Sequence, residues 1–405
     1  MEELLEPAPS SLAVAEAVDA AAFVVSRLPH PGTASADAAA FVDAATATTL
    51  SFLALRRAAL SLASGLRLGL GLRRGDAVLV LSHNSLLLPQ ILLGVLAAGA
   101  VVVAADPDAT PAEIAAAAHG SGAAMVVAEP GAAGKVAGTG VPLLLTSRSP
   151  DDPRTLSAEE LIDGADPAEE PAPPEGRPRP SDVAFLAYSS AGRTAAMTHA
   201  DLVAAMCGLP RRRVCLASIP MCSAHGLPLL ALGLPAAHAT TVLVPPTSDP
   251  RAARAEVAAR AATDVVAAPE AAAALAGPMP HDGSLSSLRR VVVVAPTPLT
   301  TEARQEFRRR LPWVELTQLL PGVPENETEL ASEQVQMLLG TQTPVMQHND
   351  TLPADQMSAT EAASTVPPLK KIQKIILGDI PSRSTTSKIS RKHPVTGNRQ
   401  AVSKL

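Results

Sequence analysis

The stretch DAVLVLSHNSLLLPQILLGVLAAGAVVVAADPDATPAEI, residues 76–114, decides the fold. It opens with a continuous apolar run at 77–81, the length of a buried strand and too short for a helix. Residues 87–98 carry apolar side chains at helical spacing, and 101–105 form a second buried run. Thr110-Pro111-Ala112-Glu113 then sets a capping box with proline at the first helical position, which predicts a helix through His119. Strand, helix, strand and helix in direct succession make the repeating unit of a parallel sheet covered on both faces.

The same alternation extends outward in both directions. Residues 53–70 read as a helix stopped by GLRRGD at 71–76. Strands are predicted at 123–128, 141–145, 182–188, 214–218, 239–244, 264–267 and 290–295, with a final helix at 300–310. The expected class is therefore α/β, with parallel-rich sheets and helices on both faces. The Pro-, Asp- and Glu-rich segment 150–180 reads as a surface excursion. Residues 86–105 are apolar enough to raise the question of a membrane span. Pro89 and Gln90 interrupt that run and Gly94 and Gly99 divide it, so a buried helix feeding a buried strand is expected, and no membrane span.

Composition narrows the function classes. The chain has 405 residues, 47% of them apolar but only 2% aromatic, so the core must be built from Val, Leu and Ala. A net charge of −6, without basic patches interleaved with aromatics, argues against a nucleic-acid partner. Cys207, Cys215 and Cys222 lack a C-x-x-C spacing and are expected to be reduced thiols. The histidines form no ligand pair, so no metal site is expected. The acidic N-terminus lacks the apolar segment of a secretory signal.

Beyond Pro312 the texture changes. No lysine or arginine lies between Arg310 and Lys370, and Gln, Glu, Thr and Pro dominate, as in VPENETELASEQ at 323–334. This reads as an irregular linker. From Lys370 the chain turns basic, with a short apolar run at 372–377 and the segment PSRSTTSKISRK at 381–392. It ends in Ser403-Lys404-Leu405, an address read at a free C-terminus by the peroxisomal import receptor. A peroxisomal location is the expectation.

One further segment carries chemistry by itself. YSSAGRTAAMTH, residues 188–199, follows a predicted strand and precedes a predicted helix. Hydroxyls and turn N–H groups in such a place can cradle phosphate oxygens, although an ordinary Ser/Gly-rich loop looks the same.

Six stretches, taken in order, resemble the acyl-adenylate-forming family, most closely the plant 4-coumarate–CoA ligase group and its peroxisomal acyl-CoA synthetase relatives. They are GLRRGDAVLVLSHNS (71–85), GAVVVAADPDATPAEI (99–114), YSSAGRTAAMTH (188–199), IPMCSAHGL (219–227), LRRVVVVAPTPLTTE (288–302) and PSRSTTSKISRK (381–392). The resemblance implies an N-terminal segment at 1–49, a large domain at 50–318, a linker at 319–367, and a truncated small C-terminal α+β domain with the targeting tail at 368–405. It implies an acid–thiol ligase that activates a hydroxycinnamic or fatty acid with ATP and Mg2+ and passes the acyl group to coenzyme A. By position, Ser189, Ser190, Gly192 and Thr194 would meet the phosphates and Lys388 would be the adenylation lysine. Ser223, His225 and Gly226 would flank the acyl group, with Ser223 where the family usually has histidine and His225 two positions later.

The departures from the family pattern are concentrated in the site. The phosphate turn is four residues short and lacks the family's lysine, Ala191 replaces its first glycine, and Ser387 precedes Lys388 in place of glycine. After Gln318 the family's G-Y-G-x-T-E, ribose-binding aspartate and arginine hinge have no counterpart, as if an internal segment were deleted. Three readings stay open: a working ligase with a trimmed site, a gene model or splice form lacking internal exons, and a non-catalytic binding or scaffold relative. An unrelated dinucleotide-dependent oxidoreductase is a fourth. The nearest approach to its fingerprint, GLRLGLGLRRG at 65–75, has the wrong spacing and precedes the strand.

Overall fold

The computed structural model describes residues 18–319, apart from 165–176, 191, 208, 210, 245–249, 278–284 and 296. Thirteen strands in that range form two sheets. The six-stranded sheet contains β3 (Ala77–Leu81), β4 (Val101–Ala104), β5 (Ala123–Ala128), β6 (Leu143–Leu145), β7 (Val183–Ser189) and β8 (Gly192–Thr198), in the order β6-β5-β3-β4-β7-β8. The seven-stranded sheet contains β1 (Ala39–Asp43), β2 (Thr49–Ser51), β9 (Val214–Ala217), β10 (Thr240–Leu243), β11 (Asp264–Ala267), β12 (Arg290–Val294) and β13 (Glu315–Leu319), in the order β13-β12-β11-β9-β10-β1-β2. All neighbours run parallel except the β1–β2 and β7–β8 pairs, so the expected parallel-rich α/β class holds.

Side-chain alternation along the strands sorts the core into three layers. Val78 and Val80 of β3 and Val102 of β4 point into the same cluster as Cys215 and Ala217 of β9, Val266 of β11 and Val292 of β12. This shared core is filled by helices sandwiched between the sheets: α1 (Ala20–Arg27), α2 (Phe52–Ser64), α3 (Leu88–Ala97), α6 (His199–Met206) and the segment Leu227–Ala236. The alternate residues Leu79, Leu81 and Val103 face outward onto α4 (Pro111–Ser121) through Ile114 and Ala117. On the far side, Val242, Val265, Val291 and Val293 pack with Val257 of α7 (Pro250–Arg260), Leu275 of α8 (Pro269–Leu275) and Phe307 of α9 (Thr301–Arg310). The molecule is thus helix, sheet, helix, sheet, helix. The helix α3, apolar except for Gln90 whose amide donates to the Leu86 carbonyl, sits in the middle layer with every one of its residues buried. A helix so nearly apolar all round is stable only in such a place. Among the described residues no helix is long and apolar enough to cross a membrane.

The local signals at helix ends are realised. At α4 the Thr110 side chain accepts the Glu113 N–H, Glu113 caps the Thr110 N–H at 2.8 Å, and Gly122 closes the helix with φ 63°. The helix α2, by contrast, passes at Ser64 into a π-turn at Gly65–Gly69, so its regular part ends short of residue 70, to which it was expected to run before the stop at 71–76.

Four features differ from the sequence expectation. The stretch before residue 50 is built into the larger sheet, with β1 between β2 and β10. Part of the 150–180 excursion is ordered: Leu145 bridges Ser157, and a short helix α5 (Ala158–Gly164) follows. A further strand, β13, pairs in parallel with β12 from Arg290 to Val294. The segment after Tyr188 returns as the antiparallel strand β8 before α6 begins at His199, where a simple turn leading to a helix near Asp201 was expected. Lys388, Ser403, Lys404 and Leu405 lie outside the described residues, as do the expected linker from 320 and the small-domain remnant.

Candidate active site

Both sheets reverse their strand order near their centres. In the six-stranded sheet β4 and β7 lie on one side of β3, and β5 and β6 on the other. In the seven-stranded sheet β10 lies on one side of β9 and β11 on the other. Connections leave in opposite directions at such points and open a crevice beyond the strands' carboxyl ends. Here the two crevices merge into one cavity of about 890 Å³. Its walls come from Ser82–Asn84 after β3, Ala105–Asp108 after β4, Tyr188 and Thr194 of the β7–β8 hairpin, and Ile219, Pro220 and Cys222–His225 after β9.

Three of the expected site residues line this cavity directly: Thr194, Ser223 and His225. Thr194 Oγ1 donates to the Ala187 carbonyl across the hairpin at 3.3 Å. Ser189 pairs with Gly192 at the tip of that hairpin. Gly192 has φ 104°, a backbone conformation that side chains disfavour, and a Cβ there would meet nothing within 4 Å. Ser190 lies in the turn itself. Of the four expected hairpin residues the described cavity lining includes Thr194, while Ser189, Ser190 and Gly192 form the hairpin tip outside that lining.

The second group sits on a tight turn. Ser223 Oγ donates to the Pro220 carbonyl at 2.7 Å and accepts the Gly226 N–H at 3.0 Å. A side chain at position 226 would collide with the Pro220 carbonyl oxygen, the Ser223 hydroxyl and Met221 Cα, so glycine is required for packing. Ser223 is therefore occupied with its own turn, and His225 stands two residues before the helical segment that starts at Leu227.

Sequence reasoning missed a cluster at the loop after β3, whose His83 and Asp108 line the cavity and whose Glu129 lies outside that lining. Glu129, just beyond β5, accepts the His83 N–H at 2.6 Å and the Ser82 hydroxyl at 3.0 Å. The His83 ring lies between Glu129 Oε2 at 3.2 Å and Asp108 Oδ2 at 3.3 Å. The Glu129 hydrogen bond, opposed by slight burial and reinforced by Asp108, raises the His83 pKa above 6.5. Next to it, the Asn84 amide donates to the Ile219 carbonyl at 2.7 Å and accepts the Met221 N–H at 2.8 Å. The signal for this cluster was positional only: SHN follows the central strand of its sheet, at the switch point. Burial pushes the Cys222 thiol in the cavity wall up to about 12.

The described lining contains no lysine or arginine, while Asp43, Asp106 and Asp108 face the cavity. For an anionic ligand, His83, held between Glu129 and Asp108, is a cationic candidate within these walls. Among the described residues no group of three or more His, Cys, Asp or Glu side chains could hold a metal ion.

Comparison with known proteins decides the lineage. The profile described as AMP-binding enzyme matches residues 30–320. The chain belongs to the AMP-binding enzyme family. The 4-coumarate–CoA ligase-like 3 protein of Oryza sativa subsp. japonica is 36% identical over 255 residues, which cover 55% of this chain and 42% of that protein. The 4-coumarate–CoA ligase-like 4 protein of the same plant is 30% identical over 321 residues, covering 74% of this chain and 56% of the relative. The chain therefore spans about half the length of the curated AMP-binding relatives it matches. A benzoate CoA ligase from Burkholderia xenovorans superposes with a TM-score of 0.63 at 23% identity, over 78% of this chain and 62% of that one. The ATP-bound MatB of Rhodopseudomonas palustris superposes with a TM-score of 0.62 at 19% identity, over 75% of this chain and 60% of that one. At these identities the two structures speak for the fold, which is the large domain of AMP-binding enzymes.

Proposed function

We propose that this chain is an AMP-forming acid–thiol ligase of the 4-coumarate–CoA ligase-like kind. A carboxylate oxygen of the acid bonds to the α-phosphorus of ATP, and the bond to pyrophosphate breaks. The thiol of coenzyme A then attacks the acyl carbonyl, and AMP leaves. The acid is hydroxycinnamic or fatty. The observation that carries this reading is the cavity beyond both switch points, lined both by Thr194 of the hydroxyl-bearing hairpin and by Pro220, Ser223 and His225 of the turn after β9. Ser189, Ser190 and Thr194 hydroxyls, with the open backbone at Gly192, suit polyphosphate oxygens. Magnesium would enter with the nucleotide as a counter-charge.

Charge assigns the remaining part. Two anions must meet in a cleft whose described lining holds no lysine or arginine, so the reaction calls for a further cation. Lys388, in the basic segment 381–392, is the proposed source. The decisive experiment supplies purified full-length chain with ATP, magnesium and 4-coumarate or octanoate, and follows pyrophosphate release. Release that is lost in Lys388→Ala supports the ligase. Binding of acid and ATP without release identifies a non-catalytic relative, and binding of neither sinks both readings.

For a chain that ends at Leu405 we also propose import into peroxisomes through Ser403-Lys404-Leu405. A fluorescent protein fused ahead of the full chain should collect in peroxisomes, and removal of Leu405 should return it to the cytosol. Cytosolic signal from the intact fusion would exclude that address.

A further inference from the structure

We infer that Asn84 is a positioning residue that fixes the shape of the acid-binding end of the cavity. The inference rests on the proposed ligase reading for its substrate, but its structural basis stands apart. Asn84 follows β3 of one sheet, and its two partners, the Ile219 carbonyl and the Met221 N–H, follow β9 of the other. Both polar atoms of the side chain are thus used on the one short segment that follows β9. The loop carrying Asn84 is itself fixed from the opposite side, because Glu129 accepts the His83 N–H and the Ser82 hydroxyl.

The segment that Asn84 grips leads directly into the turn of Ser223, His225 and Gly226. That turn is closed by the Ser223 bonds to Pro220 and Gly226 and has no room for a side chain at 226. It is a rigid unit, and Asn84 is its tie to the six-stranded sheet. Without the tie, the Met221 N–H and Ile219 carbonyl lose their partner, and the turn is free to drift as one piece. The hairpin proposed for phosphate hangs on β7 and β8, and among its described residues none shares a hydrogen bond with Asn84. A loss at Asn84 should therefore affect the acid and spare ATP.

Asn84→Asp tests this with minimal change in size. It keeps the acceptor for Met221 but sets a carboxylate against the Ile219 carbonyl. Asn84→Ala removes both bonds. Calorimetric titration of the full chain with 4-coumarate, octanoate and ATP–magnesium reads the split. Expected is acid affinity about tenfold weaker or more in both variants, the scale of one lost buried hydrogen bond, with ATP affinity within about twofold. Asp should be at least as damaging as Ala, an order that mere loss of packing does not give. Hydrogen exchange over 219–227 reads the tie without any ligand, and it should speed up in both variants while β7 and β8 stay protected. Acid affinity unchanged in Asn84→Asp, or exchange unchanged at 219–227, overturns the inference. Wild-type chain that binds no acid, combined with faster exchange in the variants, leaves the tie standing and removes the ligase reading.

Discussion

The His199 ring accepts the Ala20 N–H through Nδ1 at 3.2 Å, so the imidazole is neutral with its proton on Nε2. The residue is 1% exposed, and burial lowers its pKa below 6.5, against the pull of Asp19 and Asp182. Protonation would break the bond that ties α1 to α6 and leave a charge in the middle layer. The sign follows: the unfolded chain binds the proton more readily, so stability is complete above pH 6.5 and falls as pH drops below it. His199→Gln should flatten the dependence of the urea midpoint between pH 7 and 5. A slope unchanged by that substitution would place the effect elsewhere. His83 has the opposite sign, with stability lost as pH rises through its raised pKa. Its side chain is 54% exposed, so solvent screening keeps that contribution small. Gly226 makes a different point about legibility. Its place in IPMCSAHGL is visible in sequence, but the reason for glycine is a carbonyl six residues earlier that only the folded turn brings near. Gly226→Ala should cost about 2–3 kcal/mol, as overpacking without relief does, measured by denaturant unfolding.

At the scale of elements, the helix caps are autonomous enough to test one at a time. Thr110→Ala removes one side of the α4 capping box and should cost about 1 kcal/mol, with no effect on ligand binding because α4 lies on the outer face of its sheet. The elements read correctly from sequence are those buried on both faces, such as β3 and β12, because their valine and leucine runs leave no competing period. Among those missed, β8 and β13 are partly exposed, whereas β1 is buried but lies in a short alanine-rich stretch with no clear period. Gly192–Thr198 carries small and polar residues, with exposure at several positions, and owes its strand to pairing with β7. The helix α5 had a signal that went unread: Ser157 and Glu160 cap each other's N–H groups at 3.1 and 3.2 Å, the S-x-x-E pattern inside an acidic stretch. The candidate site divides in the same way. Thr194, Ser223 and His225 come from motif order and do reach the cavity, whereas Asn84, His83 and Glu129 are known only once the topology sets three loops beside one another.

The whole molecule has one shared core between two sheets, and this bears on how it unfolds. Side chains of β3 and β4 and of β9, β11 and β12 belong to one buried cluster, joined by α2 and α3. Leu62 of α2 is 1% exposed and lies against Gly94 of α3, where even a Cβ would come within 2.8 Å of it. Removing this side chain leaves a void between the sheets, so both must weaken together. The chain carries a separate probe for each: its one tryptophan, Trp313, precedes β13 of the seven-stranded sheet, and its one tyrosine, Tyr188, lies on β7 of the six-stranded sheet. Second-derivative absorbance in a urea titration can follow both in one sample. The two transitions should coincide in the wild type, and Leu62→Ala should move both to lower urea by an amount worth about 2–5 kcal/mol. Phe307, in the outer cluster against the seven-stranded sheet alone, supplies the contrast. If the two sheets were independent units, Phe307→Ala would shift the tryptophan transition and leave the tyrosine transition in place. A shared middle layer requires instead that this substitution, too, carry both probes together.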